Sequence, residues 1–219
     1  MSAAARRRVG ELPGVSRETL GRLDALVEIL AKWQKTINLI GKTTMDEVWT
    51  RHILDSAQLF PLVPGEAKSL TDLGSGAGFP GLVLAALRPD LDVILVEADA
   101  RKAAFLGEAG RKMGLPKQPK LLVGRMESLK APKADVVTAR ALAPLAKLLA
   151  WAEPYRAEGG ICLFHKGAGW QAEVEDAKDS WEISAEPFPS LTDRDSVLLR
   201  IDAFRAKDLR DRQPEGRRR

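Results

Sequence analysis

Hydrophobic positions in the first third of the chain recur with helical spacing. The first stripe predicts an amphipathic helix over 17–35, with Ser16 as its N-cap. The second stripe predicts a helix over about 46–60, which the prolines and glycine at 61, 64 and 65 end. The two stripes consist of Leu20, Leu23, Leu26, Val27, Leu30 and Trp33, and of Trp49, Ile53, Ala57 and Phe60. We expect residues 1–15 to be disordered, and residues 1–65 to form an N-terminal helical extension.

After residue 66 the pattern changes to short β-type runs that alternate with helical runs. The β-type runs lie at 69–73, 92–97, 120–123, 135–139 and 160–165, and two more lie near 181–188 and 196–203. Alternation of this kind predicts an α/β fold with a doubly wound, mostly parallel sheet and right-handed crossovers. Only a short turn separates the last two runs, which predicts an antiparallel hairpin at one edge. We assign residues 66–205 to this domain and residues 206–219 to a basic, mobile tail.

A glycine-rich segment, Thr71-Asp-Leu-Gly-Ser-Gly-Ala-Gly-Phe-Pro-Gly81, lies where the first strand is predicted to meet the first helix of the sheet. Glycines allow a tight turn and the close approach of a ligand to the backbone. In open parallel sheets, ligands bind beyond the carboxyl ends of the strands, where the strand order reverses. The segment therefore predicts a nucleotide-type cofactor site.

Two cofactors compete for this site. Gly76-x-Gly78-x-x-Gly81 satisfies the dinucleotide pattern, but that pattern alone is weak and leaves Asp72, Gly74 and Ser75 without a role. The longer pattern favours S-adenosylmethionine, because an acid before the glycines can hold the loop and meet the ammonium group of the methionine moiety. Glu97 ends the second strand, 23 residues after Gly74, and can accept hydrogen bonds from a ribose diol.

The target side of the site shows neither a general base nor a nucleophile. The fourth strand ends in Thr138-Ala-Arg140-Ala, which lacks the Asn/Asp-Pro-Pro-aromatic motif of amine-directed methyltransferases. Cys162 lies inside an apolar strand and is expected in the core, so it does not serve as the cysteine nucleophile of a cytosine-C5 enzyme. Guanine N7 carries a lone pair and no proton, so it fits such a site, with catalysis resting on alignment. The target base would have to be unpaired or extruded.

Several polar residues near the strand ends are candidates for the site. Arg140 could hold the cofactor carboxylate, the base or a phosphate, and Lys166 at the end of the fifth strand could meet phosphate. Met126 and Glu127 follow the third strand, where an adenine would lie, although Glu127 is equally consistent with a plain charge at a helix start. The remaining candidates lie on the second N-terminal helix. Arg51 and Asp55 there are four residues apart and could form an ion pair, and His52 is more simply explained as a packed, hydrogen-bonded side chain.

The net charge of +4 over 219 residues is concentrated at the ends of the chain. Residues 1–22 and 206–219 carry +3 each, whereas the remainder carries −2. Basic tails attract polyanions such as RNA, although terminal arginines can also serve solubility alone. A single cysteine excludes an internal disulfide, and no Cys/His cluster has metal-ligand spacing. No apolar run approaches the roughly 20 residues of a membrane span, so we expect a cytoplasmic monomer without a metal or membrane contact.

The chain resembles the bacterial 16S ribosomal RNA guanine-N7 methyltransferases, the glucose-inhibited division protein B family. The resemblance covers roughly residues 25–203. It rests on Asn38-Leu-Ile40, Trp49-Thr-Arg-His-Ile-Leu-Asp-Ser56, the glycine-rich segment, 102–106, 138–141 and Lys166-Gly167. Departures are the leucine at 142, where members usually have phenylalanine, and the arginine-rich C-terminal tail.

The resemblance implies a class I (Rossmann-like) S-adenosylmethionine-dependent methyltransferase fold behind a helical extension. It implies that Gly74 and Phe79 line the cofactor site, with Met126, Glu127 and Arg140 beside it, and it strengthens the case for His52. It also implies 16S rRNA in the small ribosomal subunit as the substrate. Three alternatives stay open: a methyltransferase of proteins or small molecules, a nicotinamide-dependent oxidoreductase, and a non-catalytic RNA-binding factor.

Overall fold

A computed structural model describes residues 2–207 and contains a seven-stranded sheet with the strand order β3-β2-β1-β4-β5-β7-β6. The strands are β1 (Ser69–Leu73), β2 (Asp92–Glu97), β3 (Lys120–Val123), β4 (Ala134–Arg140), β5 (Arg156–Lys166), β6 (Trp181–Pro189) and β7 (Val197–Ala206). The first five strands are parallel to one another, whereas β7 pairs antiparallel with both β5 and β6. The predicted doubly wound, mostly parallel sheet with an antiparallel edge hairpin is confirmed.

Helices cover both faces of the sheet. They are α1 (Ser2–Gly10), α2 (Arg17–Trp33), α3 (Asp55–Ala57), α4 (Gly81–Leu87), α5 (Ala100–Lys112), α6 (Leu145–Ala152) and α7 (Trp170–Lys178). One apolar core joins α1, α2, α4 and α5 to one face, and a second core joins α6 and α7 to the other. The strand order reverses between β1 and β4: β2 and β3 follow on one side of β1, and the later strands on the other. The loops that follow β1 and β4 therefore border a crevice at the carboxyl ends of these strands.

The expectation that residues 1–15 are disordered is wrong for the residues that the structure describes. Helix α1 buries Ala5 and Val9, which are four residues apart and share one helix face. Arg6 donates a hydrogen bond of 2.7 Å to Asp24 of α2, and its guanidinium lies 5.7 Å from the ring of Trp49. The arginines that suggested a solvated segment therefore also help to dock this helix.

The second predicted helix is present but irregular. A π-helical segment, Trp49–Leu54, continues directly into α3, and short 3-10 turns flank the pair. Trp49, Ile53 and Ala57 of the predicted stripe are buried, and Phe60 is half-buried. A π-turn is a local widening of a helix that is frequent at functional sites, and this one carries His52.

Most predicted strand bounds agree with the structure. Strands β1, β2 and β3 coincide with the predicted runs, whereas β4 and β5 are longer than predicted. Ser16 caps α2 as predicted and accepts a hydrogen bond of 3.1 Å from the Thr19 amide. Of the tail predicted over 206–219, Ala206 belongs to β7 instead, and residues 208–219 lie outside the described residues. Among residues 2–207, no helix is long and apolar enough to cross a membrane.

Candidate cofactor and target site

The glycine-rich segment forms a tight turn between β1 and α4. Gly74, Gly76 and Gly78 have φ values of 67°, 54° and 84°, which place all three in the left-handed region that favours glycine. The Gly78 amide donates to the Ser75 carbonyl at 2.7 Å, and the Ser75 hydroxyl donates to the Asp72 carbonyl at 3.0 Å. Ser75 is buried, so it stabilises the turn from within. The backbone thus fixes the shape of the predicted cofactor loop.

The side chain of Asp72 stabilises the glycine-rich turn. Its side chain is fully buried, and its two oxygens accept hydrogen bonds from the Thr138 hydroxyl at 2.8 Å and the Gly81 amide at 3.2 Å. Burial raises the pKa of Asp72 to about 6, although these hydrogen bonds oppose the shift. The contacts support the predicted role in holding the loop, whereas contact with a cofactor ammonium group stays a prediction.

Glu97 closes the other side of the turn from the end of β2. Its two carboxylate oxygens accept hydrogen bonds of 2.8 Å from the Gly76 and Asp99 amides. A carboxylate oxygen can accept more than one hydrogen bond, so these contacts leave acceptor capacity for a ribose diol. A Cβ added at Gly76 would meet no atom closer than the Gly74 carbonyl at 3.8 Å. Open space beside glycine backbone and a carboxylate fits the nucleoside part of S-adenosylmethionine.

Leu142 is a contact of the glycine loop that the sequence analysis did not assign. A Cβ added at Gly74 would lie 2.6 Å from the Leu142 Cδ1 atom, so this leucine covers one end of the turn. It follows Ala141, whose φ of 49° is unusual for a residue other than glycine. Nothing in the sequence marks this constraint, because alanine rarely adopts the left-handed region, so it becomes visible only in the structure.

The two residues predicted to lie beside an adenine follow β3. Met126 is half-buried, and its carbonyl accepts a hydrogen bond of 2.7 Å from the Tyr155 hydroxyl. Glu127 is exposed; together with the larger effect of burial, its charge raises the pKa of Tyr155. The structure therefore places Met126 against the second core and Glu127 at the surface, and their contacts with an adenine stay predictions.

Arg140, the last residue of β4, connects the sheet to the N-terminal extension. Its Nη1 atom donates to the Arg51 carbonyl and to the Asp55 carboxylate, both at 3.1 Å. Its Nη2 atom lies 2.8 Å from His52 Nδ1, and the guanidinium lies 5.2 Å from the centre of the Phe79 ring. The predicted candidates Arg51, His52, Phe79 and Arg140 thus come together, although they derive from three separate elements.

His52 is packed and hydrogen-bonded, as the sequence analysis favoured. Its ring stacks on Phe79 at 5.1 Å between centroids, and its Nε2 atom lies 2.9 Å from the Thr44 hydroxyl. Burial, followed by the charge of Arg140, lowers the pKa of His52 to about 4. Because Nδ1 accepts from Arg140, the proton of the neutral ring is assigned to Nε2, which donates to Thr44. Both nitrogens are engaged, so His52 has no free lone pair for general-base catalysis.

The Asp55 carboxylate joins three parts of the chain: the N-terminal extension, the end of β4 and the β6–β7 turn. It pairs with Arg140 rather than with Arg51, so the ion pair predicted from the four-residue spacing is wrong. Its Oδ1 atom accepts from Gln58 at 2.9 Å and from the Thr192 hydroxyl at 2.6 Å. In this arrangement several donors contact a partly buried carboxylate. It is therefore more favourable than an exposed ion pair within one helix, which contributes about 0.3–0.5 kcal/mol.

A pocket of about 350 Å³ lies between the N-terminal extension, the ends of β4 and β5 and the β6–β7 turn. A pocket of this size falls within the range of small-ligand sites. Its polar lining includes Arg51, His52, Asp55, Arg140, His165, Thr192 and Asp193. The His165 Nε2 atom donates to the Asp55 carbonyl at 2.8 Å. His165, Thr192 and Asp193 were missed by the sequence analysis, because their positions carry no local motif.

Lys166 lies at the pocket but its ammonium group is held inside the protein. It donates to the Ala143 carbonyl at 3.0 Å and forms an ion pair with Glu173, and its side chain is only 6% exposed. Glu173 also accepts a hydrogen bond of 2.8 Å from the Leu145 amide. These contacts give Lys166 a role in joining β5 to α6 and α7, and they do not support the predicted contact with phosphate.

Cys162 lies in the core, as predicted. Its side chain is fully buried in β5, and burial raises the pKa of its thiol to about 12. A thiol in this environment does not supply the thiolate that a nucleophilic mechanism needs. Within residues 2–207, no group of three or more histidine, cysteine, aspartate or glutamate side chains is arranged to hold a metal ion.

The strand order separates two classes of protein that share a glycine loop after β1. Dinucleotide-binding sheets continue with a sixth parallel strand, whereas here the antiparallel β7 lies between β5 and β6. This order, with the cofactor loop after β1, is that of the class I S-adenosylmethionine-dependent methyltransferases. A family model described as rRNA small subunit methyltransferase G matches residues 19–195, and the chain therefore belongs to this family.

Curated relatives agree with this assignment. The chain is 52% identical over 188 residues to the ribosomal RNA small subunit methyltransferase G of Paramagnetospirillum magneticum, which covers 86% of this chain and 90% of the relative. It is 50% identical over 196 residues to the enzyme of the same name from Rhodospirillum centenum, with coverages of 90% and 89%. The family assignment excludes the oxidoreductase alternative.

Solved structures support the fold. The O-methyltransferase TomG from Streptomyces achromogenes, solved in complex with S-adenosylmethionine, matches with a TM-score of 0.58 and 14% identity, covering 91% of this chain and 96% of TomG. An O-methyltransferase from Bacillus cereus, solved with S-adenosylhomocysteine, matches with a TM-score of 0.56 and 12% identity, covering 93% of this chain and all of the other. The family match identifies the chain as an S-adenosylmethionine-dependent methyltransferase, and these structures show that it has the expected class I fold.

Proposed function

We propose that this protein methylates N7 of a specific guanosine in the 16S rRNA of the small ribosomal subunit. It acts in the cytoplasm as a monomer and without a metal ion. The proposal rests on the pocket of about 350 Å³ described above, which we call the target pocket. Among the described residues beside Arg140 in this pocket, His52 has both nitrogens engaged, the Asp55 carboxylate is paired with the arginine, and the His165 Nδ1 atom is buried. The pocket therefore suits a target nitrogen that carries no proton. The family name of the relatives supports an rRNA substrate.

The glycine-rich turn would hold the cofactor through its backbone. When bound, S-adenosylmethionine would supply a methyl group on a positively charged sulfur, and transfer of this group to a nitrogen lone pair would leave S-adenosylhomocysteine. Gly74, Gly76 and Gly78 keep the turn free of side chains, and Ser75 and Asp72 hold it in shape. Glu97 would accept hydrogen bonds from the ribose, while Met126 and Glu127 would border the adenine. Phe79, which stacks on His52, would separate this region from the target pocket.

Arg140 would orient the guanine in the pocket. Its Nη1 atom has two acceptors and its Nη2 atom has one among the described residues, which leaves further N–H groups to donate to a ligand. The O6 atom of guanine lies beside N7 and is an acceptor that arginine commonly contacts. Asp55 balances the charge of Arg140, so the purine can take on positive charge during methylation without facing an uncompensated cation. Arg51 and His52 would complete this wall, and no proton needs to move.

Mass spectrometry of nucleosides tests the proposal directly. Small subunits from a strain that lacks the gene are incubated with the purified protein and S-adenosylmethionine, alongside naked 16S rRNA and ribosomal protein. We expect 7-methylguanosine to form in the rRNA of the subunits, and Arg140→Ala to reduce its formation. Methyl transfer to ribosomal protein, or to a base other than guanine, would contradict the proposed substrate.

A further inference from the structure

The turn between β6 and β7 is attached to the N-terminal extension by side-chain hydrogen bonds. Gln58 accepts a hydrogen bond of 2.7 Å from the Leu191 amide and donates one of 3.2 Å to the Ser190 hydroxyl. The Thr192 hydroxyl donates to Asp55, the same carboxylate that binds Arg140. The position of this turn is therefore coupled to the arginine of the target pocket.

Hydrogen bonds within the turn fix its shape. The Ser190 amide donates to the Ser196 carbonyl at 3.0 Å, and the Thr192 amide donates to the Ser190 hydroxyl at 3.2 Å. Asp193 accepts a hydrogen bond of 3.0 Å from the Asp195 amide. A hairpin turn with this many contacts is an ordered part of the pocket wall rather than a loose connection.

This ordered turn presents an apolar side chain to solvent. Leu191 is 53% exposed, and among the described residues only one other large hydrophobic side chain, Val123 at 50%, is classed as exposed. Ser190 and Thr192, on either side of Leu191, both line the 350 Å³ pocket. Arg194 lies three residues further on, with a side chain that is 93% exposed and a single ion-pair partner, Asp195, at 3.7 Å.

We infer that Leu191 is a wedge that fills the space left in the rRNA when the target guanosine enters the pocket. This inference rests on the proposed function. A base can enter an enclosed pocket only after it leaves its stack, and unstacking a base costs a few kcal/mol. Proteins that separate base steps insert apolar side chains such as leucine between them. Leu191 lies at the pocket edge on a backbone that is already fixed, so little entropy is lost when it contacts the neighbouring bases.

Arg194, three residues after Leu191, would bind the RNA backbone beside the same turn. An extruded nucleotide turns its phosphates toward the protein surface, and an exposed guanidinium can bind phosphate oxygens with two parallel hydrogen bonds. Leu191 acts on the extruded state, whereas Arg194 acts on capture of the RNA. The two residues therefore predict different kinetic effects.

The test uses steady-state methylation of small subunits from the strain that lacks the gene. Leu191→Ala should lower kcat about tenfold and change KM for the subunits less than about threefold, because bound but stacked complexes still form. Leu191→Met, which keeps the apolar volume, should restore kcat. Val123→Ala, a truncation of similar exposure, is the matched control and should leave kcat unchanged. Arg194→Ala should instead raise KM and reduce its salt dependence.

The outcomes separate this inference from the proposed function. If the wild-type protein forms no 7-methylguanosine, the proposed function itself fails. If it does, and Leu191→Ala retains kcat within twofold or loses activity through KM alone, the wedge is refuted while the proposed function stands. Unfolding free energy and cofactor affinity are measured for each variant. We expect both to stay at wild-type values because the altered side chains are exposed.

Discussion

Asp72→Asn should remove a loss of unfolding free energy that the wild-type protein shows as pH rises. Asparagine has nearly the same shape as aspartate. Its oxygen can accept from the Gly81 amide, and its amide can donate to the Thr138 hydroxyl, so both contacts of the carboxylate have a counterpart. The substitution therefore removes a buried charge while it preserves the structure of the glycine loop.

The magnitude follows from the pKa of Asp72, which burial raises to about 6 from the ordinary 3.8. Because the folded state binds this proton more tightly, the favourable contribution is fully present below pH 3.8 and is lost as pH rises through 6. At 1.36 kcal/mol per pKa unit, the loss amounts to about 3 kcal/mol. His52 acts in the opposite sense, since its pKa is lowered to about 4 and its contribution is lost as pH falls from 6.5 towards 4.

Urea unfolding followed by circular dichroism between pH 4 and pH 8, without cofactor and at constant ionic strength, measures this effect. The unfolding free energy of Asp72→Asn minus that of the wild type should rise by about 2.5 kcal/mol across this range, because a small part of the loss has already occurred at pH 4. The contribution of His52 is common to both proteins and cancels in the difference.

Thr138→Val provides a matched control. It removes a hydrogen bond that lowers the pKa of Asp72 but keeps the carboxylate, so the loss of stability with rising pH should extend to higher pH. A difference between Asp72→Asn and the wild type that does not vary with pH would contradict this prediction, because it would show that burial does not shift the pKa of Asp72.

Three further predictions concern the site. Gly76→Val should abolish cofactor binding in calorimetry, whereas Gly159→Val, at another glycine with positive φ but away from the site, should bind normally; equal affinities would place the cofactor elsewhere. Cys162→Ala should retain methylation within about threefold despite a stability cost of about 1 kcal/mol, and a complete loss of turnover in folded protein would revive a thiol mechanism. Arg140→Lys should lower kcat/KM by tenfold or more, because lysine cannot bind Asp55 and His52 in the same planar arrangement; wild-type turnover would remove Arg140 from the site.

The sheet and the cofactor loop could be predicted from sequence because their signals are local. Short β-type runs of five and six residues specify β1 and β2, and Gly74, Gly76 and Gly78 mark left-handed backbone positions. Cys162 was placed correctly in the core for the same reason. Helix α1 was missed because three arginines within eight residues outweigh Ala5 and Val9, which alone show its buried face.

The target pocket could not be predicted in the same way. The hydrogen bond between Asp55 and Thr192 joins residues 137 apart in sequence, and that between Asp55 and His165 joins residues 110 apart. Neither partner carries a motif of its own. Lys166 was correctly placed at the carboxyl end of a strand, but the direction of its side chain depends on Glu173 in the following helix. Tertiary packing determines contacts of this kind. The position of a residue at a strand end does not determine the direction of its side chain.

In the proposed reaction the methyl group passes to an unprotonated nitrogen without a general base. Single-turnover methylation of small subunits, with enzyme and cofactor in excess, tests it most directly when the rate is measured from pH 6 to pH 9. Since the pKa of His52 is lowered to about 4, we predict that the rate of methylation stays constant within about twofold across this range. A rate that rises with pH through an apparent pKa between 6.5 and 8.5, with the chemical step shown to be rate-limiting, would contradict it.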